Sequence, residues 1–266
     1  MEEYPVTQIT ELIPPGRKIN LVLSGGGVKG VAHIALLEYL EELGVTINAI
    51  SGSSAGALVG ALYCSGLTPK EILAFFKTTP IFRYTWLNPI KAGIFDSEKY
   101  ALVLEQKIKY RFEDLQIPLT IAATNIEKNK ATYFNQGEVT PPLLASCAIP
   151  AVFSPVPIEG ELYSDGGVMD NFPIRPFLNE GFPIIGSCVC KPEVQSSKDI
   201  NSILKVTNHT SSLLLYAANA HKFKDTLTTI DFPLGAYGSF DTKKIKRIYQ
   251  KAREYLQMET QNDESN

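Results

Sequence analysis

Apolar positions along the chain switch between two spacings: short continuous runs and stripes at helical period. Ile19 to Leu23, interrupted only by Asn20, has the pattern of a buried strand. Val31, Ile34, Ala35, Leu37, Leu40 and Leu43 then recur at helical spacing, and Gly44 marks the stop. Val45 to Ile50 is a second strand-like run, and Ala57 to Ser65 an apolar helix ending at Gly66. Thr68-Pro69-Lys70-Glu71 combines an N-cap, a first-turn proline and a capping box, predicting a helix through Lys77. Further on, the pattern predicts a helix from Asp96 or Ser97 to about Tyr110. Strands are predicted at Ile117 to Ile126 and Ala131 to Asn135, around an Asn129-Lys130 turn. Short helices are predicted over Pro142 to Ala148 and Pro173 to Leu178, with a strand at Glu161 to Ser164 between them. Phe182 to Cys190 and Thr228 to Phe232 read as strands, Asp199 to Lys224 as helical and Asp241 to Met258 as a basic-faced amphipathic helix. Strands alternating with helices predict an α/β architecture.

One stretch breaks the rhythm. Between Phe75 and Phe95 the aromatic residues Phe82, Tyr84 and Trp86 crowd between Pro80 and Pro89, which prevent regular structure. Such a stretch either packs over the core or forms the wall of an apolar cleft; its length favours the second.

Composition narrows the class. A chain of 266 residues with net charge −3 and 44% hydrophobic residues reads as one large domain without a nucleic-acid footprint. Residues 1–18 are expected to be a flexible lead-in, 19–258 one catalytic domain and 259–266 a disordered tail. The acidic N-terminus lacks the apolar core of a secretory signal, and no apolar run approaches the ~18–20 residues that cross a bilayer. Cys64, Cys147, Cys188 and Cys190 read as free buried thiols in a reducing compartment. With three histidines and no CxxC pair, neither a metal nor a cofactor is expected. The expected location is cytoplasmic, with docking at a membrane surface as an option.

Two loops carry the candidate chemistry, each where a strand runs into a helix. Gly25 to Gly30 fits GxGxxG, which is also the dinucleotide fingerprint. The ribose-binding acid of that fingerprint is missing: Glu38, Glu41 and Glu42 lie on the first helix, and the second strand runs into Gly52-Ser53-Ser54-Ala55-Gly56. That second loop fits GxSxG, with Ser54 at the centre of a nucleophile elbow. A serine hydroxyl needs a base. His33 follows the glycine loop and reads as a supporting helix residue; His209 and His221 lie in a late helix, the wrong place for the usual triad order. A held and desolvated aspartate also serves as a base, and Asp165, before Gly166 and Gly167 and close to Asn171, is the best placed.

Taken together, these blocks resemble the patatin-like phospholipases. GGGVKG resembles the family's glycine-rich motif, GSSAG its elbow, ASCAIPAVFSP (Ala145 to Pro155) its middle block, and DGG with the following NFP its aspartate motif; GIFDSEKY is similar to a recurrent segment. The resemblance covers about Asn20 to Ile185. It implies a three-layer α/β/α sandwich around a mainly parallel sheet and a serine acyl hydrolase with a Ser54–Asp165 dyad. It further implies an oxyanion hole from the backbone of Gly26, Gly27 and Val28. Gly25, Lys29, Gly30, Gly52, Gly56, Gly166 and Gly167 would support the site. Lys29 stands where the family often has arginine, and would steady the loop or attract an anionic head group. The implied substrates are phospholipids or lysophospholipids. A soluble esterase or thioesterase, a non-catalytic lipid-binding relative and a nucleotide-binding protein are the alternatives.

Overall fold

A computed structural model describes residues 12–13, 16–79 and 97–261 of the chain. Most of the lead-in, the aromatic stretch from Pro80 through Asp96 and the tail past Gln261 lie outside these residues.

Among the described residues the sheet has eight strands: β1 (Lys18–Leu23), β2 (Thr46–Ser53), β3 (Leu119–Asn125), β4 (Lys130–Phe134), β5 (Val156–Ile158), β6 (Glu161–Ser164), β7 (Ile184–Cys188) and β8 (Thr228–Asp231). Their order is β5-β6-β3-β2-β1-β7-β8, with β4 also paired to β3. From β3 to β8 every pairing is parallel; β4, β5 and β6 add an antiparallel edge. The helices are α1 (Val31–Glu42), α2 (Ala55–Cys64), α3 (Pro69–Thr78), α4 (Ser97–Glu105), α5 (Thr140–Ser146), α6 (Ile203–Asn219) and α7 (Ile245–Gln261).

Side-chain alternation along β1 separates the two covered faces. Ile19, Leu21 and Leu23 join the main core with α1, α2, α3 and α7, while Val22 points to a second core made by Phe172, Ile174, Phe177 and Ile184. Phe223, in the turn after α6, packs onto that second core. The α/β/α layering expected from the sequence is therefore present.

Local signals held where they were self-contained. Thr68 and Glu71 form the full capping box of α3, and Gly44 and Gly66 end their helices at φ +66° and +98°. Long-range contacts override local pattern elsewhere. Helix α4 stops at Glu105 because Lys109 N–H turns to Ser65 Oγ and Tyr110 O accepts from Val139 N–H. Pro173 to Leu178 yields a single 3-10 turn, Arg175–Phe177, with Pro176 inside it. Strand β5 is unexpected, since Pro155 and Pro157 argue against one; it sits at the sheet edge, where a missing N–H is tolerated.

Register brings the two special loops together. Leu23, the last residue of β1, is level with Gly52 of β2, and Ser53 is level with Ala122 of β3. Both loops thus leave the sheet side by side at its carboxyl edge, the usual site position in an open parallel sheet. Strand β6 runs against β3 and pairs Ser164 with Thr124. Its next residue, Asp165, descends toward the level of Ala122 and Ser53.

Candidate active site

Ser54 caps α2 at φ 50°, ψ −120°, in a region that side-chain-bearing residues rarely adopt. Such a conformation costs on the order of 1–3 kcal/mol and persists only where neighbours over-determine it. Here the neighbours are identifiable. A Cβ on Gly52 would lie 2.6 Å from the Ala57 nitrogen, and one on Gly56 would lie 2.2 Å from the Leu23 carbonyl oxygen. Glycine at both positions therefore lets the turn close against β1.

A clamp from the end of α5 completes the elbow. Ser54 N–H donates to Ser146 Oγ at 2.8 Å, and Ser146 Oγ–H donates to the Ala122 carbonyl at 2.7 Å. Cys147 Sγ–H donates to the Ser54 carbonyl at 3.5 Å. The neighbouring Ala148 carbonyl accepts from Asp165 N–H at 2.9 Å and Ser164 Oγ–H at 2.8 Å. Three consecutive residues thus hold the backbones of both Ser54 and Asp165. Thr124 Oγ1 adds a bond to the Asp165 carbonyl at 2.8 Å. Sequence reading gave Ser146 no role beyond its place in the ASCAIPAVFSP block and passed over Thr124, because a serine at a helix end and a threonine in a strand show no partner until the sheet register places them.

Ser146→Ala should leave the Ser54 N–H buried without an acceptor, a cost of about 1–3 kcal/mol. The expected result is a turnover number about tenfold lower with little change in KM, together with a lower melting temperature. Steady-state kinetics on an acyl ester and thermal unfolding read both.

Asp165 is 6% exposed. Oδ1 accepts from Gly167 N–H at 2.7 Å. Oδ2 is buried with no hydrogen-bond partner among the described residues, while the Ser54 hydroxyl lies close enough to the carboxyl to favour its ionised form. Burial dominates and pushes the carboxyl from 3.8 to about 6, against the opposing effects of Ser54 and Gly167 N–H. Gly166 permits this approach: a Cβ there would lie 2.3 Å from the Ala122 carbonyl oxygen.

The glycine loop sits against the same pair. A Cβ on Gly25 would be 3.1 Å from Ser54 Cβ and 2.4 Å from Asn171 Oδ1. Asn171 ties the loop to the Asp165 turn, since its carbonyl accepts from Gly25 N–H at 3.2 Å and its side-chain amide donates to the Gly25 carbonyl at 3.3 Å. Gly167 lies beside Asn171 Oδ1, and Gly30 packs closely on Ala55 at the start of α2. Gly26 and Gly27 N–H groups make no hydrogen bond among the described residues. Val28 differs from expectation: its N–H is already committed to the Ser239 carbonyl at 2.8 Å, so two of the three expected donors remain open. Ser239 was not visible as a partner from 211 positions away in sequence.

Of the two roles expected of Lys29, one falls away. It is 1% exposed, and burial lowers its pKa against the opposing influence of Cys190, Cys188 and Glu193. A side chain lodged beneath the loop cannot reach a head group, and steadying the loop is the part left to it. Cys188 and Cys190 lie beside it with their sulfurs 3.4 Å apart, as free thiols.

His33 belongs to the scaffold. Nε2 faces the Ser24 carbonyl at 2.8 Å and Nδ1 faces Ser187 Oγ at 2.7 Å. A carbonyl only accepts, so Nε2 carries the proton and Nδ1 accepts from the serine. Burial lowers its pKa to about 4, keeping it neutral. Neither His209 nor His221 bonds to Ser54 or Asp165. Glu38, Glu41 and Glu42 point away from the glycine loop, to Tyr249, Tyr63 and Arg253, so none of the three stands as a ribose-binding acid. Cys147 stays a thiol, its pKa raised by burial and by Asp165. It also lines a small apolar pocket with Tyr100, Leu144, Phe153 and Val156. Among the described residues no acidic, histidine and cysteine cluster suits a metal ion.

The family model for patatin-like phospholipase matches residues 21–178, a span that includes Ser54 and Asp165. An uncharacterized NTE family protein of Mycobacterium bovis is 34% identical over 163 residues, 60% of this chain and 45% of that protein. Lysophospholipase NTE1 of Cryptococcus neoformans is 31% identical over 182 residues, 62% of this chain and 11% of that protein. The chain spans less than half the length of these relatives. In fold it is similar to VipD from Legionella pneumophila, with a TM-score of 0.53 at 14% identity over 92% of this chain and 67% of that one. With more than half of its length matched by the family model, the chain belongs to the patatin-like phospholipase family.

Proposed function

We propose that the protein hydrolyses carboxylic esters of lipids, phospholipids or lysophospholipids in particular, through a Ser54 acyl-enzyme with Asp165 as base. The observation that carries this reading is the buried Asp165 carboxyl, whose Oδ2 has no hydrogen-bond partner among the described residues and whose ionised form the nearby Ser54 hydroxyl favours. Proton transfer from Ser54 Oγ to Oδ2 frees the oxygen to attack the ester carbonyl. Gly26 and Gly27 N–H groups receive the negative charge that develops on the carbonyl oxygen, helped by the positive end of α2. Collapse expels the alcohol, which takes the proton from Asp165. Water then attacks the acyl-enzyme, gives a proton to Asp165, and Ser54 recovers it as the fatty acid leaves. The similarity to a lysophospholipase points to the same substrate class.

The test is labelling with a lipid-like fluorophosphonate, followed by peptide mapping across pH. A single adduct on Ser54 is expected. Asp165 must be ionised to act as base, and its carboxyl sits at about 6. The labelling rate should therefore be level above pH 7 and fall about tenfold by pH 5. Labelling elsewhere, or a rate indifferent to pH across this window, would sink the dyad.

A further inference from the structure

Helix α6 shows an inverted pattern. At 100° per residue, Ile203, Val206, Leu213 and Leu214 fall within an arc of about 100°. That arc faces outward: the four are 88%, 43%, 44% and 73% exposed. The opposite side holds the helix to the protein. There Tyr216 donates to Asp231 Oδ2 at 2.6 Å, and the buried Asn219 accepts from Phe172 N–H at 3.2 Å. A water-facing helix normally turns its apolar stripe inward, and an exposed stripe of this kind marks an interaction surface.

From this we infer that α6 is a docking element that seats the protein on a phospholipid bilayer. Charge selects that occupant. Residues 200–224, bracketed by Asp199 and Asp225, contain no aspartate or glutamate, and Lys224, in the turn that follows α6, is exposed. The apolar stripe can enter the headgroup boundary with no acidic side chain from its own segment, and Lys224 can meet a lipid phosphate. A single convex helix also suits a deformable surface better than a protein groove. Position completes the case. A Cβ on Gly167 would touch Leu215 at 3.5 Å, and Lys222, in the turn that follows α6, pairs with Asp170 at 2.6 Å. The docking helix is thus fastened to the turn that carries Asp165, where Val168 and Met169 are themselves half exposed. For its purpose, delivering lipid to that turn, this inference rests on the acyl-hydrolase reading; docking itself does not.

The experiment is flotation of the full chain with vesicles of phosphatidylcholine containing one-third phosphatidylserine. The parent is expected to float, and a combined Leu213→Ser and Leu214→Ser variant to bind at least tenfold more weakly. The same variant should hydrolyse a soluble short-chain ester at the parental rate, which shows that it is folded. Ser54→Ala should float like the parent. Failure of the parent to float, or flotation of the double variant at parental strength, overturns the inference. So does a concentration-dependent dimer that the double variant abolishes without any vesicle binding, which would assign the stripe to a second copy of the chain. Loss of soluble-ester hydrolysis in the parent with flotation intact would strike the chemistry and leave the docking surface standing.

Discussion

Asp165→Asn is expected to lower turnover by about 10²–10⁴ while making the protein more stable. The first effect follows from removing the proposed base, since positioned general bases contribute factors of this size. The second follows from burial. The folded carboxyl sits at about 6 against an ordinary 3.8, so the folded state holds this proton more tightly than the unfolded state does. The stability this group supplies is full below about pH 3.8 and is lost as pH rises through 6. At neutral pH the ionised carboxylate therefore burdens the fold by on the order of 3 kcal/mol. Asparagine keeps the acceptor for Gly167 N–H and places an amide toward Ser54 without a charge. Its melting temperature should exceed the parent's above pH 6, and the difference should shrink toward pH 4. Calorimetry across that range checks the sign directly. A variant equally inactive but no more stable at pH 7 would mean that Asp165 is better solvated than its burial indicates.

How much of this site was legible beforehand depended on whether a residue's role was local. Ser54, Gly52 and Gly56 could be read as an elbow because the turn needs glycine within two positions on either side. Asp165 was readable as a candidate because two glycines follow it and because histidine was unavailable in the right order. Its basicity was not readable, since that comes from burial among β3, α5 and the elbow. Ser146 was marked only as part of the ASCAIPAVFSP block and Thr124 not at all, and their roles arise where Ala122 lies level with Ser53. The fold behaved alike. Strands flanking the glycine and serine loops were legible from apolar runs, whereas β5 was hidden by its prolines and the end of α4 by contacts to Ser65 and Val139. Lys29 left two roles open in the sequence, and its burial near Cys188, Cys190 and Glu193 chooses between them, a choice no local pattern could make.

Gly27→Ala tests the part of the proposed machinery that has no side chain. Gly27 sits at φ +61°, and a Cβ there would lie 2.2 Å from the Ser239 carbonyl oxygen. That carbonyl is backbone and already holds Val28 N–H at 2.8 Å, so it cannot rotate away as a side-chain tip would. The loop must shift, which breaks the Val28 bond and moves the Gly26 and Gly27 N–H groups off the oxyanion. Losing such a donor typically lowers turnover by about 10²–10³. KM should change far less, because the charge those donors meet develops only as the ester is attacked. Gly137→Ala separates this from backbone strain alone: it has φ +80° with nothing within 4 Å of its added Cβ. It should cost about 1 kcal/mol of stability and leave turnover intact. If Gly27→Ala turned over substrate at the parental rate while folded, the glycine loop would not be the oxyanion hole, and the charge would have to be met from elsewhere around Ser54.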